Sequence, residues 1–287
     1  MLTAHVALVT EESKISYSEL SVVAGALSKQ VSRDFGPLWH IDADVAAYEK
    51  LEDVPLDYWP IIIKDDIGDP SAAGYHEDKH GQPYSLVVYD ATWSLTASHE
   101  CLEMLADPFG RHTVAGDSPV KGQGRVKFLV EVCDPCEAAA FAYTINGVTV
   151  SDFYTPHFFD PLKSTGVRYS YTGALSAPRQ VLKDGYLSWY VPTRREWWQR
   201  TWFGGAKPAD GAIRNLTISG TNVRAAIDRV TELERARAID KAHAPQRHVG
   251  STARSGTRRA AADPLVARAT ELRAAIASVS RSKGERG

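Results

Sequence analysis

His99, Glu100 and Glu103 fall within five residues of one another in the stretch Ser98-His99-Glu100-Cys101-Leu102-Glu103. On a helix, residues four apart project from one face about a turn above each other, so His99 and Glu103 can grip a single divalent ion. Glu100 stands beside that face, where a general base acting on a metal-bound water is expected. Leu95, Leu102 and Leu105 bracket His99 and place the set half in the interior. A half-buried imidazole with two carboxylates, on a segment without Lys or Arg, needs a cation, because unpaired buried charge is expensive. A metal ion answers that need. An arginine filling the space between these side chains would answer it too, and would leave a folded scaffold in place of a hydrolase.

Further candidate ligands follow the helix. Asp107 lies eight residues after His99 on the same stripe, in a last turn where the helix dipole disfavours an acid, so a metal, an arginine or a histidine N–H is expected beside it. Glu131, Asp134 and Glu137 cluster around Cys133-Asp134-Pro135-Cys136. A lone CxxC with only Cys101 elsewhere reads as half-buried thiols rather than a four-ligand zinc site. Tyr154 and His157 are candidate donors to a transition-state oxyanion by position alone. His76 and His80, near Glu77 and Asp78, read as part of a solvated loop.

The elements that must hold these residues are legible in outline. His5 to Val9 suits a buried strand. Ser16 to Glu19 offers a capping box that opens an amphipathic helix with the stripe Leu20, Val23, Ala24, Leu27 and Val31, ended by Gly36-Pro37. Ala43 to Tyr48, Trp59 to Lys64 and Tyr84 to Tyr89 read as strands, and Asp65 to Gln82 as loop. The site helix spans about Trp93 to Asp107. Beyond it the chain turns β-rich: Lys127 to Val132, a hairpin over Phe141 to Val150 with Asn146-Gly147 at its turn, and weaker strands at Tyr169 to Gly173 and Gly185 to Val191. Three of the seven tryptophans fall between Trp197 and Trp202 and read as a lid or plug of aromatic core. The periodicity places a helix at Thr221 to Ala242 leading out of the body, a Gly/Ser/Thr/Arg-rich linker at 243–262, and an amphipathic helix at 263–287 opened by Asp263-Pro264.

Bulk numbers narrow the class. In 287 residues, 44% hydrophobic and 24% charged, with a net charge of −2, there is material for a globular body and no global pull toward nucleic acid or membrane. Nine Arg/Lys against Asp263, Glu271 and Glu285 give residues 243–287 a charge of +6, which leaves the preceding body at about −8 by difference. Three cysteines argue against a disulfide framework, and no signal-peptide pattern or membrane-length apolar run is visible, so the cytoplasm is the expected compartment.

The order strand, helix, strands, site helix resembles a zincin-type metallopeptidase, in which a twisted sheet and a backing helix precede an edge strand that substrate extends, followed by the active-site helix. The His99-Glu100-x-x-Glu103 stretch is similar to that superfamily's HExxH helix with the second histidine replaced by glutamate. The chain also resembles bacterial and bacteriophage proteins with a Ser-His-Glu…Glu-Met…Asp-Pro pattern. The resemblance covers roughly residues 1 to 160 and its sharp part is six residues long. It implies a zincin-like mixed sheet, so an α+β fold, with a β-rich part and a helical tail after it. Together with the periodicity and composition of the C-terminal third, this divides the chain into a body at 1–220, a helix at 221–242, the basic linker at 243–262 and the terminal helix at 263–287. It implies His99 and Glu103 as metal ligands and Glu100 as the base. The third ligand would be Glu131 ahead of Asp134, because glutamate-type zincins bring their third ligand from that distance. Zn2+ is the first choice, with Mn2+ or Fe2+ also compatible. Carboxylate in place of imidazole lowers the Lewis acidity of the ion. A peptide substrate would lie along Tyr84 to Tyr89.

Two functions follow as expectations. One is a metal-dependent peptidase. The other is a non-catalytic assembly component, of a phage particle for instance, in which the basic linker and terminal helix engage a protein partner; the virion would then be its location. No membrane partner is expected, and the arginines at 254, 258 and 259 lack the aromatic neighbours of a nucleic-acid site.

Overall fold

The computed structural model describes residues 3–70, 72–214, 216–218 and 222–243, and the linker and terminal helix expected after His243 lie outside them. Within these residues the fold is a mixed α+β arrangement built on two five-stranded sheets.

The first sheet is formed by β1 (Ala4–Thr10), β2 (Ala43–Tyr48), β3 (Tyr58–Lys64), β4 (Gly74–Lys79) and β5 (Gln82–Val88), in the order β2-β1-β3-β5-β4. The first four strands in that order run parallel and β4 pairs antiparallel with β5. Val6 to Val9 and Ile61 to Ile63 are runs of consecutive buried residues, the pattern of strands covered on both faces. Helix α1 (Tyr17–Lys29) covers one face with Leu20, Val23, Ala24 and Leu27, and its start is fixed by the Ser16 hydroxyl accepting the Glu19 N–H at 3.1 Å.

Gly36-Pro37 does not stop this helix. The chain widens into a π-turn over Gln30–Phe35 and continues as α2 (Gly36–Trp39), where Pro37 sits in a first turn that needs no N–H from it. Gly36 is required there, because a Cβ would come within 2.4 Å of the Ile41 carbonyl oxygen. The wide turn points Gln30 and Asp34 into the interior. The Gln30 amide donates to the Ser151 carbonyl at 2.9 Å and to the Tyr143 hydroxyl at 3.1 Å, while its oxygen accepts the Ser98 hydroxyl at 2.8 Å.

The larger departure from expectation concerns the sheet edge. The segment expected as loop contains β4, and β4 is the edge strand; the strand expected at the edge lies inside the sheet between β3 and β5's other neighbour, β4. Both sides of β5 are therefore occupied, and no substrate can extend the sheet along residues 84–89. The reason is compositional. Gly-Tyr-His-Glu-Asp-Lys has little strand propensity, yet an edge strand tolerates charge on its open side and only His76 is fully buried.

Helix α3 (Trp93–Ala106) follows β5 directly, buried through Ala97, Ser98 and the run Glu100 to Ala106. Gly74 lets β4 approach it: a Cβ there would lie 2.7 Å from Thr96 Cγ2 and 3.1 Å from Glu100 Cγ. The second sheet is antiparallel, with order β12 (Ala209–Ala212), β11 (Glu196–Thr201), β10 (Tyr186–Val191), β7 (Arg125–Leu129) and β6 (Thr113–Asp117). Between β7 and β10 stand β8 (Tyr143–Ile145) and β9 (Val148–Val150), joined by Asn146 and Gly147 at φ 51° and 83°, the left-handed pair a tight hairpin requires. Tyr169 to Gly173 forms only an isolated bridge, Tyr154 to Ser170. The aromatic plug is Trp189 of β10, fully buried, whereas Trp197 and Trp198 of β11 are partly exposed. One continuous apolar core joins both sheets, α1 and α3. Helix α4 (Val223–His243) does not lead out of this body: Arg224, Ala226, Ile227 and Thr231 are buried against it.

Candidate metal centre

Three elements converge on α3. The loop after β7 carries Glu131 and Asp134, with Asp134 opening a single 3-10 turn through Cys136. The first turns of α4 bring Arg224 and Asp228, and β4 supplies His76. The Cys133 N–H donates to Glu103 Oε1 at 3.1 Å and ties the loop to the helix.

His99 Nε2 lies 3.2 Å from Asp134 Oδ1 and 3.4 Å from Glu103 Oε1. His99, Asp134 and Glu137 bring one ligand atom each within 4.8 Å of one another, as do His99, Glu103 and the Cys133 sulfur. Burial alone would lower the His99 pKa, but Glu103 and Asp134 together raise it well above the ordinary imidazole value. The Cys133 thiol, wholly rather than half buried, is pushed well up by burial and then by Glu103.

On the far side of Glu103 the chain supplies its own cation. Arg224, 2% exposed, pairs its NH2 group with Glu103 Oε2, sets NH1 against His76 Nδ1 and 3.8 Å from Glu100 Oε2, and places Nε 3.4 Å from both Glu131 Oε1 and Asp228 Oδ2. His76 Nε2 bonds the Asp107 carbonyl at 3.0 Å, and Nδ1 is also 3.5 Å from Glu100 Oε2. Burial pushes the Glu103 carboxyl up, yet the Arg224 guanidinium and His99 hold it at about 2. Glu100 is likewise held below its ordinary range against burial, by His76 and Arg224.

One guanidinium does not neutralise the cluster. Glu131 is raised well above the carboxylate range by burial, with Asp134 and Asp228 adding to it, and Asp228 is pushed up to about 8 by burial despite Arg224. Both Glu131 oxygens, Asp134 Oδ2 and Glu100 Oε2 are buried and accept no hydrogen bond among the described residues. Glu131, Asp134 and Asp228 form a second group of close carboxylates that shares Asp134 with the His99 group. Among the described residues the only ion-pair partner of Asp134 is His99. Arg235 pairs with Glu137 and Glu232, so Glu137, pushed up to about 8 by burial, is part neutralised from α4.

His99, Glu100 and Asp134 open onto a groove of about 960 Å³ bounded by β4, the loop before it and α4. The other expected site residues fall elsewhere. Asp107 caps α3, with its carboxylate accepting the His112 N–H at 2.8 Å. Glu131 lies behind Arg224 and does not line the groove. Tyr154 is wholly buried, stacked on Phe158 at 4.2 Å, and its hydroxyl oxygen accepts the Glu131 N–H. His157 is exposed and paired with Asp160 at 3.0 Å. Neither Tyr154 nor His157 lines the groove, whereas Tyr186, bonded to Asp228 at 3.1 Å, and Arg224 do.

Arg224 had no signal of its own in the sequence beyond lying at the start of an amphipathic helix. Comparison of the chain with family models, with curated proteins and with solved structures finds no match.

Proposed function

We propose that the chain is a metal-dependent hydrolase of the zincin kind, acting on peptides, with a divalent ion held at His99 and Asp134 and with Glu137 as the third ligand, within 4.8 Å of both. The observation that carries this reading is the 3.2 Å between His99 Nε2 and Asp134 Oδ1; Glu103, 3.4 Å from the same nitrogen, belongs to a separate set with Cys133. Two ligand atoms sharing a tetrahedral ion at about 2.0–2.2 Å stand about 3.3–3.6 Å apart. The donor set fits such an ion: one imidazole and carboxylates, with Asp134 Oδ2 lacking a protein donor. Zn2+ suits it, and the excess of carboxylate also suits Mn2+ or Fe2+. The fold order supports the same reading, since a sheet with a backing helix and an antiparallel edge strand leads into the site helix.

The ion, when bound, supplies Lewis acidity toward a carbonyl. The chain's own residues do the rest. Glu100 lines the groove as a carboxylate whose Oε2 is buried against His76 and Arg224, and takes the proton of an attacking water. Arg224 holds Glu100 and Glu103 ionised and in place. Tyr186, at the groove wall, donates its hydroxyl hydrogen to Asp228 at 3.1 Å and serves as an oxyanion donor only on releasing that bond.

Arg224 also favours a second reading, a non-catalytic scaffold in which the guanidinium is the cation and no metal binds. Metal analysis of protein purified without added metal separates the two. One equivalent of ion, lost in His99→Ala and kept in Glu100→Gln while hydrolysis of a peptide pool disappears, is the expected result. Absence of bound metal, or unchanged turnover in Glu100→Gln, rejects the hydrolase and leaves the scaffold.

A further inference from the structure

We infer that Glu131, Asp134 and Asp228 form a second cation site, for a hard divalent ion such as Mn2+, with Asp134 as the carboxylate shared with the ion at His99. This extends the hydrolase reading to a two-ion centre. It takes only the first ion from that reading, and the second site stands or falls by its own residues.

The three carboxylates come from separate parts of the chain. Glu131 sits in the loop after β7, Asp134 opens the 3-10 turn, and Asp228 lies near the start of α4. One oxygen of each lies within 4.8 Å of the other two. Asp134 Oδ1 faces His99 at 3.2 Å, which leaves Oδ2 for the second group; that oxygen is buried and accepts no hydrogen bond among the described residues. Asp228 Oδ1 accepts the Tyr186 hydroxyl at 3.1 Å, so a side chain outside the set holds this ligand in place. Glu131 is 2% exposed and accepts no hydrogen bond on either oxygen among the described residues. The cation paired with it, Arg224 Nε at 3.4 Å, is itself a buried donor without an acceptor. Two carboxylates more than nine-tenths buried thus turn unpartnered oxygens into one space.

Protons and a divalent ion compete for that space. In the ion-free protein, burial raises Glu131 and Asp228, so both hold protons. A proton links two oxygens, whereas three converge here, as they do around an oxygen-ligated ion. The exchange is electroneutral, because two protons leave as two charges arrive, and Arg224 meets no added net charge. The set lacks imidazole and thiolate, which suits Mn2+ better than Zn2+. Asp134 and Asp228 line the groove and give the ion its way in, while Glu131 closes the site from behind. Because it must displace protons beside a guanidinium, the second ion binds more weakly than the first and is taken up only from added metal.

The test uses the full chain, first given one equivalent of Zn2+ and then titrated with Mn2+, with bound and free Mn2+ counted by EPR and zinc by elemental analysis. The wild type is expected to keep its zinc and take up one Mn2+. Glu131→Gln and Asp228→Asn should each lose the Mn2+ and keep the zinc, and His99→Ala should lose the zinc and keep the Mn2+. Ions that share a carboxylate stand about 3.5–4 Å apart, near enough for their unpaired electrons to couple. With Mn2+ alone, the wild type should therefore take up two ions and show an exchange-coupled spectrum, which Glu131→Gln lacks. Two variants from different elements, each checked by near-UV circular dichroism, keep a folding defect in one from deciding the result. Failure of the wild type to bind Mn2+ beyond the zinc, or its retention in both Glu131→Gln and Asp228→Asn, overturns the second site. Zinc that fails to bind at His99, with Mn2+ uptake still lost in both variants, overturns the hydrolase reading and leaves the second site standing.

Discussion

Two buried carboxylates, Asp34 and Glu131, are equally hidden at 2% exposure and have opposite surroundings. Asp34 accepts from Arg33, from the Tyr143 hydroxyl at 3.0 Å and from the Tyr171 hydroxyl at 2.7 Å, and its pKa is lowered against the push of burial by those same donors. Glu131 has Arg224 Nε at 3.4 Å, accepts no hydrogen bond on either oxygen among the described residues, and has its pKa raised well above the carboxylate range. The first is a closed structural knot. The second lies deeper in the protein and belongs to a group with more negative charge than its donors among the described residues satisfy. What marks a site is the shortage of donors, which a cation relieves.

The largest effect that would sharpen this contrast is loss of the internal cation. Arg224→Met in chelator-treated protein should cost about 3–5 kcal/mol in chemical denaturation, because it strands Glu103 and Glu100 in the interior. Asp34→Asn, which keeps an acceptor for the two tyrosine hydroxyls and loses the charge facing half-exposed Arg33, should cost about 1–3 kcal/mol. Equal losses would erase the distinction. Next, Zn2+ or Mn2+ at a hundredfold over its Kd should stabilise the wild type by about 2.7 kcal/mol, seen as a rise in Tm. Asp34→Asn should keep that rise, and His99→Ala and Asp134→Asn should lose it.

The two clusters should also respond to pH with opposite signs. Asp228 and Glu137 are pushed up from ordinary values of 3.8 and 4.5 to about 8. Between pH 4 and 8 the folded state then holds more protons than the unfolded one, so metal-free stability falls as pH rises across that window. Bound metal should flatten the fall. Asp34, with its pKa lowered, contributes stability above pH 4 that is lost as pH drops through its folded value. A flat metal-free profile from pH 5 to 8 would contradict the raised acids. The smallest effect is Tyr171→Phe, which removes one donor of several from Asp34 and should cost about 1 kcal/mol without changing metal affinity.

The parts visible in the sequence are those with local causes. Consecutive apolar residues gave β1 and β3, the 3.6-residue stripe gave α1, and the His99/Glu103 spacing correctly places both side chains together, since one helical turn is a local relation. The hidden parts are set by distant neighbours. β4 is a strand because β5 offers it a ladder, although its own residues favour a loop. Arg224 reaches Glu103 across 121 positions, and no periodicity on either helix announces it. Glu131 and Asp134 were both legible as acids near the site, but which one faces His99 depends on the turn at Cys133-Asp134-Pro135-Cys136. Position along the chain points to Tyr154 and His157 but says nothing about the direction of a side chain, and both face away from the groove.

The widened turn at Gln30 has a mechanical consequence. Its single amide spans the seam between two layers, fastened to Ser98 on one side and to the Ser151 backbone on the other, with Ser98 itself donated to by the Ser151 N–H at 2.9 Å. Ser98 immediately precedes His99, so this fastening stops the helix from rolling about its axis. Amide exchange at Ser151 should therefore be among the slowest in the chain, and Gln30→Ala should quicken it and loosen the imidazole's aim without touching the acids in front of it.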